Sequence, residues 1–355
     1  MERRITRQIK IGSVAIGGNN PIALQSMTNA RDYDGILEQM LALQNAGCDI
    51  VRLAVPDMDT VRILGRLKEN VAMPIVADIH FDYRLALESA HAGVDKIRIN
   101  PGNIGDLDRI KAVANICAQK GLPIRIGVNG GSLESDILQK YGEVSADALM
   151  ASAVKNIQLL EKFDFDNIVV SIKSSSVPMM MAANQIFSEK YDYPLHLGVT
   201  EAGTLKSGTI KGAVGIGGLL AGGIGDTIRV SLTAPVVEEI HSGREILKAS
   251  GRYHGGGVEI ISCPTCARAS VDIIAIANEL EMQIEHNLPH TTRGKLLKVA
   301  VMGCAVNGPG EAREADLGVA CGNGEGLLFS KGRPTHKVLE SEIVSALMQE
   351  ISLLQ

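Results

Sequence analysis

Short apolar segments alternate with amphipathic stretches along the first 250 residues of the chain. The apolar segments, which we predict to be strands, lie at 22–27, 50–55, 75–80, 96–100, 124–129, 168–174, 195–200 and 228–233. Apolar residues recur with the period of a helix at 34–46, 59–70, 83–92, 107–120, 146–163, 179–190 and 236–249. Several of the predicted helices end at a glycine, as at Gly47, Gly93 and Gly121. Eight strands that alternate strictly with helices predict a (β/α)₈ TIM barrel.

A doubly wound sheet is the competing fold for this alternation. It is disfavoured because no glycine-rich nucleotide turn follows the first predicted strand. The glycine-rich run at 208–225 lacks the Gly-Lys-Ser/Thr ending of a phosphate-binding Walker loop. We therefore predict that this run forms a barrel helix packed closely on its neighbours. Alternation at 5–18, which breaks at Gly17-Gly18, predicts a small hairpin ahead of the barrel.

The pattern changes after residue 250. The glycines at 255–257 indicate a linker at 251–257, between a barrel domain at 1–250 and a second domain at 258–355. Apolar segments at 258–262 and 296–301 predict two parallel strands in that second domain, and a helix at about 337–354 closes it. The fold class is thus α/β: a TIM barrel followed by a smaller α+β domain that carries a cluster of cysteines.

Composition narrows the class of protein. The chain has 355 residues, of which 45% are hydrophobic and 21% charged, as in an ordinary globular protein. No apolar run reaches the length of a membrane span, and the N-terminus lacks the apolar core of a signal peptide. We therefore expect a cytoplasmic protein, in which the six cysteines are ligands or free thiols rather than disulfides. A net charge of −5 and 3% aromatic residues argue against nucleic-acid binding.

Charged residues recur inside the predicted barrel strands. The cations are Arg52, Arg98, Arg125, Lys173 and Arg229. The acidic residues are Asp78 on the third strand and Glu201 after the seventh, and the neutral polar residues of matching parity include His80, Asn129 and Ser231. A self-neutralising ionic core would need more carboxylates than these. Because guanidinium groups suit phosphate oxygens, the imbalance predicts a site for a diphosphate or a multiply phosphorylated small molecule at the barrel mouth.

Cysteines follow both predicted strands of the second domain. Cys263-Pro-Thr-Cys266 comes directly after 258–262, and Cys304 follows 296–301. Thiolates are soft ligands that select zinc or an iron–sulfur cluster over hard cations. Spacing alone leaves both metals open, as well as a pair of unligated cysteines, and it offers Cys321 as a fourth thiolate.

Several motifs together resemble the bacterial 4-hydroxy-3-methylbut-2-enyl diphosphate synthases. The barrel motifs are QSMT at 25–28, VRLA at 51–54, ADIHF at 77–81, KIRINPG at 96–102, RIGVN at 125–129 and HLGVTEAG at 196–203. The second domain contributes CPTC at 263–266 and NGPGE at 307–311. The resemblance extends over nearly the whole chain. It matches the compact bacterial form, without the additional central domain of the plant members.

The resemblance implies a [4Fe–4S] enzyme of the non-mevalonate isoprenoid pathway. Such an enzyme reduces 2-C-methyl-D-erythritol 2,4-cyclodiphosphate by two electrons, opens its ring and removes water, with flavodoxin or ferredoxin as electron donor. It acts as a homodimer in which the barrel of one subunit faces the cluster domain of the other. The implied cluster ligands are Cys263, Cys266, Cys304 and Glu311. Glu311 is then a hard, exchangeable ligand, and Cys321, Cys48 and Cys117 are small apolar residues.

We assign a role in such a reaction to each polar residue of the barrel. The residues expected to bind the substrate are Arg52, Asp78, His80, Arg98, Arg125, Asn129, Lys173, Arg229 and Ser231. Of these, Arg52, Arg98, Arg125, Asn129, Lys173 and Ser231 are expected to hold its diphosphate. Glu201 is the candidate proton donor, and Asp78 and His80 are its positioning partners. Two other functions are compatible with the motifs. One is a redox-inert lyase or transferase with structural zinc, and the other is a non-enzymatic sensor of a phosphorylated metabolite.

Overall fold

The strands of the first 253 residues form a hairpin and an eight-stranded parallel sheet in a computed structural model that describes residues 2–287, 294–304 and 314–354. The hairpin strands are β1 (Ile9–Ile11) and β2 (Val14–Ile16). The parallel strands are β3 (Ala23–Met27), β4 (Ile50–Ala54), β5 (Ile75–Asp78), β6 (Lys96–Ile99), β7 (Ile124–Asn129), β8 (Ile168–Lys173), β9 (His196–Leu197) and β10 (Thr227–Ile228). Their order is β8-β7-β6-β5-β4-β3-β10-β9, and a parallel bridge from Val170 to Leu195 joins the two ends. The predicted TIM barrel is confirmed.

Helices follow the barrel strands. They are α1 (Tyr33–Asn45), α2 (Met58–Asn70), α3 (Tyr83–His91), α4 (Pro101–Ile104), α5 (Leu107–Lys120), α6 (Ser135–Tyr141), α7 (Ala146–Glu161), α8 (Val177–Lys190), α9 (Leu205–Gly212), α10 (Gly218–Ala221) and α11 (Val236–Ala249). Many begin at a side chain that accepts a backbone N–H, as Asp32, Asp57 and Asp106 do. Because a capping side chain marks the start of these helices, the sequence predicts their first residues accurately.

The hairpin packs against the N-terminal end of the barrel. Its Ile9, Ile11 and Ile16 are buried in one apolar cluster with the first inward residues of four strands. Those strand residues are Ala23, Ile50, Val76 and Val169. The predicted hairpin is confirmed, and its chain reverses at Gly12, whose φ is +55°. A hydrophobic plug therefore fills this end, and the polar strand residues lie nearer the opposite end.

The glycine-rich run at 208–225 continues α9 through a π-helical turn, Ala213–Gly217, into α10. A Cβ atom on Gly208 would lie 2.5 Å from Leu232, and one on Gly215 would lie 2.7 Å from Met180. The prediction of a closely packed barrel helix is confirmed.

The second unit, His254–Gln355, contains a five-stranded sheet. Its strands are β11 (Gly257–Ser262), β12 (Leu296–Met302), β13 (Leu317–Gly322), β14 (Glu325–Ser330) and β15 (Arg333–Leu339), and its helices are α12 (Ile273–Asn287) and α13 (Ile343–Leu354). β11, β12 and β13 are parallel, as predicted for the first two, and β14 and β15 are antiparallel. The closing helix predicted at 337–354 was too long. Lys331 and Gly332 adopt positive φ and turn the chain back into β15, so residues 337–339 are strand.

No helix in the described part of the chain combines the length and apolar content that crossing a membrane requires.

Candidate functional site

A cavity of about 460 Å³ opens at the C-terminal ends of the barrel strands. The predicted residues that line it are Arg52, Asp78, His80, Arg98, Arg125, Asn129, Lys173, Glu201, Arg229 and Ser231. All ten barrel residues singled out from the sequence therefore surround one space. Strand parity explains the convergence, because alternate residues of each strand face the barrel interior.

Asp78 is the central carboxylate of this cavity. Its Oδ1 accepts a hydrogen bond from Arg98 Nη1 at 3.0 Å, and its Oδ2 lies 3.6 Å from Arg52 Nε and 3.4 Å from His80 Nε2. Burial acts to raise the pKa of Asp78, but the His80 hydrogen bond and the nearby guanidinium groups outweigh it and hold the pKa well below its usual range. Asp78 is therefore a permanent anion that fixes two arginines.

Arg229 is paired with a carboxylate that the sequence analysis missed. Glu239 on α11 accepts bonds from Arg229 Nε at 2.9 Å and Nη2 at 2.7 Å. It also accepts a 2.7 Å bond from Ser26 Oγ. The cations at the mouth are thus opposed by three acidic residues rather than two. Nothing in the helical pattern of 236–249 distinguishes a glutamate that faces the strands from one that faces solvent.

Arg125 keeps hydrogen-bond donors that are unsatisfied within the described residues. Arg125 is 1% exposed, and its Nη1 donates to Ser171 Oγ at 3.2 Å. Its Nε and Nη2 meet no hydrogen-bond partner among the residues that the structure describes, and the same holds for Arg98 Nε. Buried donors without acceptors are costly, so this arrangement favours an anionic ligand that supplies oxygen atoms.

Two inward-facing glycines make room for the cations. A Cβ atom on Gly127 would lie 2.5 Å from both Nε and Nη2 of Arg98. A Cβ atom on Gly198 would lie 2.7 Å from Lys173 Nζ. Any larger residue at either position would displace the charged group beside it.

Glu201 lines the same cavity from the segment after β9. It is exposed, and its φ of +51° places it in the left-handed region that non-glycine residues seldom adopt. Its neighbour Thr200 donates to Asn129 Oδ1 at 3.3 Å, which ties this segment to the end of β7. Backbone strain of this kind is often found where a side chain must be aimed at a ligand.

The sequence analysis also missed three residues that support the predicted ones. Met27 accepts bonds from Arg52 through its sulfur at 2.8 and 3.1 Å, Ser171 bonds Arg125, and Thr200 bonds Asn129. Parity could have identified Ser171, which lies two residues before Lys173 on β8. Met27 belongs to the QSMT motif, but nothing in the sequence indicates that its sulfur contacts Arg52, because a methionine in a strand usually packs against apolar neighbours.

A buried polar layer lies beneath the cavity. Gln25, Lys96 and His196 are at most 1% exposed, and Lys96 Nζ and His196 Nε2 meet no partner within the described residues. Burial, with the charges of Arg125 and Arg52, holds the pKa of Lys96 well below its ordinary value. Folding therefore disfavours the protonated form of Lys96.

Lys96→Met should stabilise the barrel, most strongly at low pH. The unfolded chain binds a proton on Lys96 that the folded chain does not, so wild-type stability rises with pH up to the unfolded pKa of about 10.4. As the pH falls below that value, the free energy of unfolding of the wild type should drop relative to that of the variant by up to about 1.4 kcal/mol per pH unit. The difference stops growing once the pH reaches the pKa of Lys96 in the folded protein. Urea denaturation at several pH values measures the gap. Lys111→Met, at an exposed position, is the control, and a gap that does not change with pH would refute this account.

The cysteines divide into two groups. Cys266 is exposed and Cys263 and Cys304 are half-buried, whereas Cys48, Cys117 and Cys321 are buried. Cys263 Sγ accepts a 3.2 Å hydrogen bond from the Gly303 amide, and hydrogen bonds from Arg268 lower the pKa of Cys266. Burial raises the pKa of each buried thiol to about 12. The accessible group is the one predicted to bind a metal.

The fourth predicted ligand, Glu311, lies outside the described residues, as does its motif at 307–311. Within the ranges 2–287, 294–304 and 314–354, no three His, Cys, Asp or Glu side chains are gathered closely enough to hold a metal ion. Cys263 and Cys304 nevertheless follow neighbouring parallel strands, which brings their loops to the same edge of the sheet.

Solved structures similar to this chain share its barrel. The 3-dehydroquinate dehydratase from Geobacillus kaustophilus superposes with a TM-score of 0.51 and 14% sequence identity, covering 69% of this chain and 98% of that one. An identity this low indicates a shared fold and nothing more.

Proteins that match this chain over its full length are much more similar to it in sequence. A protein of Clostridium acetobutylicum named 4-hydroxy-3-methylbut-2-en-1-yl diphosphate synthase (flavodoxin) is 56% identical over 353 residues, which is 99% of each chain. A protein of the same name from Caldanaerobacter subterraneus is 54% identical, over 98% of this chain and 97% of its own. The family model described as the GcpE TIM-barrel domain matches residues 6–244, and that of the GcpE protein C-terminal domain matches 259–353. With both domains matched in order, the chain belongs to the GcpE family.

Proposed function

We propose that the chain is a 4-hydroxy-3-methylbut-2-en-1-yl diphosphate synthase that takes electrons from flavodoxin. Its substrate is 2-C-methyl-D-erythritol 2,4-cyclodiphosphate, which it reduces by two electrons with ring opening and loss of water. Full-length relatives with this name support the proposal. The observation that carries it is the barrel cavity, where buried guanidinium donors of Arg98 and Arg125 lack partners among the described residues and favour an anionic ligand.

The cations of the cavity bind the diphosphate in this proposal. Arg98 and Arg52 are held by Asp78, and Arg229 is held by Glu239, so these guanidinium groups are fixed before the substrate arrives. Arg125 and Lys173 offer the donors that remain. Asn129 at the end of β7 and Ser231 after β10 supply neutral donors. Groups fixed in advance lose little entropy on binding, which favours tight recognition of a compact ligand.

Glu201 delivers a proton to the departing oxygen. The reaction releases water, so an oxygen must leave carbon as hydroxide or already protonated, and a carboxylic acid at the mouth serves that need. Asp78 is a poor donor because its surroundings keep it ionised. His80 is hydrogen-bonded to Asp78 and is more exposed than Asp78. Its proposed role is to position Glu201.

Cys263, Cys266, Cys304 and Glu311 would hold a [4Fe–4S] cluster. The three thiols fit that role because they are accessible on loops, and because a backbone N–H already points at Cys263 Sγ, as is usual for cluster sulfurs. When bound, the cluster supplies the two electrons one at a time. The protein acts as a homodimer in the cytoplasm in this proposal. Ferredoxin can take the place of flavodoxin as the electron donor.

Turnover by anaerobically purified protein tests the proposal. Incubation of the full chain with the cyclodiphosphate and reduced flavodoxin should yield 4-hydroxy-3-methylbut-2-en-1-yl diphosphate. A brown protein that contains iron and sulfide is expected. A colourless protein with zinc would support the lyase or transferase alternative, and a brown protein that binds the cyclodiphosphate without converting it would support the sensor.

Arg125→Ala should weaken cyclodiphosphate binding without disturbing the cysteine loops. A charge-assisted hydrogen bond is worth about 1.5–3 kcal/mol, which corresponds to roughly 10- to 10²-fold in Kd. Titration calorimetry measures the loss, and the iron content shows whether the second domain is intact. Arg62→Ala, at an exposed pair with Asp59, is the matched control. Unchanged affinity in Arg125→Ala would remove this residue from the diphosphate site.

A further inference from the structure

Lys173 presents an amine without a hydrogen-bonding partner to the barrel cavity. It lies at the end of β8, lines the cavity and is 7% exposed. Its Nζ makes no hydrogen bond or ion pair with any residue in the described part of the chain. Glycine at position 198 makes room for that nitrogen, because a Cβ atom there would lie 2.7 Å from it. A lysine that lines a ligand cavity in this way differs from the surface lysines, many of which pair with carboxylates.

Several cations lie near Lys173. The groups on the neighbouring elements are Arg52 on β4, Asp78 at the end of β5 and His80 after it, Arg98 on β6, Arg125 on β7, Glu201 after β9, and Arg229 directly after β10, with Lys96 and His196 below. Asp78 is engaged by two arginines, and Arg229 is engaged by Glu239. Burial first, and then four guanidinium groups, lower the pKa of Lys173 well below its ordinary value. Both effects disfavour the protonated amine while the cavity holds no anion, and they therefore favour its neutral form.

A neutral amine among fixed guanidinium groups is suited to one class of compound. An uncharged lysine nitrogen is a nucleophile toward carbonyl carbon. The guanidinium groups attract phosphate. The cavity, at about 460 Å³, has room for a small phosphorylated molecule.

We propose that Lys173 is a covalent capture site for phosphorylated aldehydes, which it binds reversibly as an imine whenever the substrate is absent. The nitrogen lone pair attacks the aldehyde carbon, the carbonyl oxygen leaves as water, and a C=N bond replaces C=O. No electrons are gained or lost, and hydrolysis restores the amine. The inference goes beyond the proposed function and needs no turnover, because it rests on the cavity alone. It makes phosphorylated aldehydes a class of inhibitor for this protein.

Pyridoxal 5′-phosphate is a suitable probe. The holoenzyme is exposed to it briefly at about pH 7 under anaerobic conditions, the imine is trapped with borohydride, and the modified lysines are located by peptide mass spectrometry. Because burial and the nearby guanidinium groups lower its pKa, Lys173 should react at least roughly tenfold faster than an exposed lysine such as Lys111. Inorganic pyrophosphate should protect Lys173 and leave Lys111 unaffected. Pyridoxal, which lacks the phosphate, should label Lys173 much more slowly.

The outcomes separate this inference from the proposed function. Modification of Lys173 no faster than Lys111, or modification that pyrophosphate does not slow, overturns the capture site even if the protein turns over cyclodiphosphate. Fast and protected labelling supports the capture site even if turnover fails. Lys96 serves as an internal control, because it is buried but does not line the cavity and should stay unmodified. Since wild-type protein gives the decisive map, the result does not depend on whether a Lys173→Met variant folds.

Discussion

Cys304→Ser should lose most of its iron and all measurable turnover, whereas Cys321→Ser should keep both. Cys304 is half-buried in the loop after β12, beside the Gly303 amide that bonds Cys263. Cys321 is fully buried within β13, in the apolar core of the second unit, and burial raises the pKa of its thiol to about 12. A thiol that resists ionisation is a poor metal ligand, because binding requires the thiolate.

Iron and sulfide content, an EPR spectrum of the reduced protein and the turnover rate distinguish the two variants. Cys321→Ser also buries a hydroxyl, which costs about 1–3 kcal/mol, so its melting temperature should fall while its iron content does not. Glu311→Ala should give an intermediate result, with a labile cluster that the three thiolates still retain. A Cys321→Ser protein without iron, beside a Glu311→Ala protein with its full complement, would restore the four-cysteine site.

The sequence predicted the barrel well because its strands and helices differ in hydrophobic period and are separated by caps such as Asp57 and Gly121. It predicted the second unit less well. The helix expected from Lys337 begins at Ile343, because Lys331 and Gly332 form a hairpin turn with positive φ. The same kind of turn at Gly12 was overlooked in the N-terminal hairpin. In both places a local turn decides the structure, and an alternating pattern does not reveal where the turn falls.

The sequence predicted which residues line the cavity, but not which charged residues form ion pairs with one another. Strand parity brings Arg98, Arg125 and Lys173 to one face, and that can be derived from the sequence alone. The partner of Arg229 could not be derived from the sequence, because Glu239 reaches Arg229 from a helix and lies ten residues later in the chain. Charge balance in a barrel therefore depends on which helix residues turn inward, and helical periodicity does not resolve that for a single glutamate.

Glu201→Gln should lower kcat by about 10²- to 10⁴-fold, the usual worth of a positioned general acid. The substitution keeps the shape of the side chain and its hydrogen-bonding capacity but removes the proton that it can donate. Glu201 lines the cavity from a residue with φ of +51°, so the fold holds it there at a cost in backbone strain. The neutral amide should not weaken attraction for a diphosphate, and KM should therefore change much less than kcat.

Steady-state kinetics with the cyclodiphosphate and reduced flavodoxin measures the effect. Iron content must match that of the wild type, so that a lower rate reflects the missing proton rather than a missing cluster. Glu143→Gln is the matched control, because Glu143 is exposed and is absent from the residues that line the cavity. A near wild-type kcat in Glu201→Gln would assign the proton to another group. Asp78 is disfavoured in that case, since three arginines and His80 keep it ionised, and a water molecule ordered by His80 would become the better candidate.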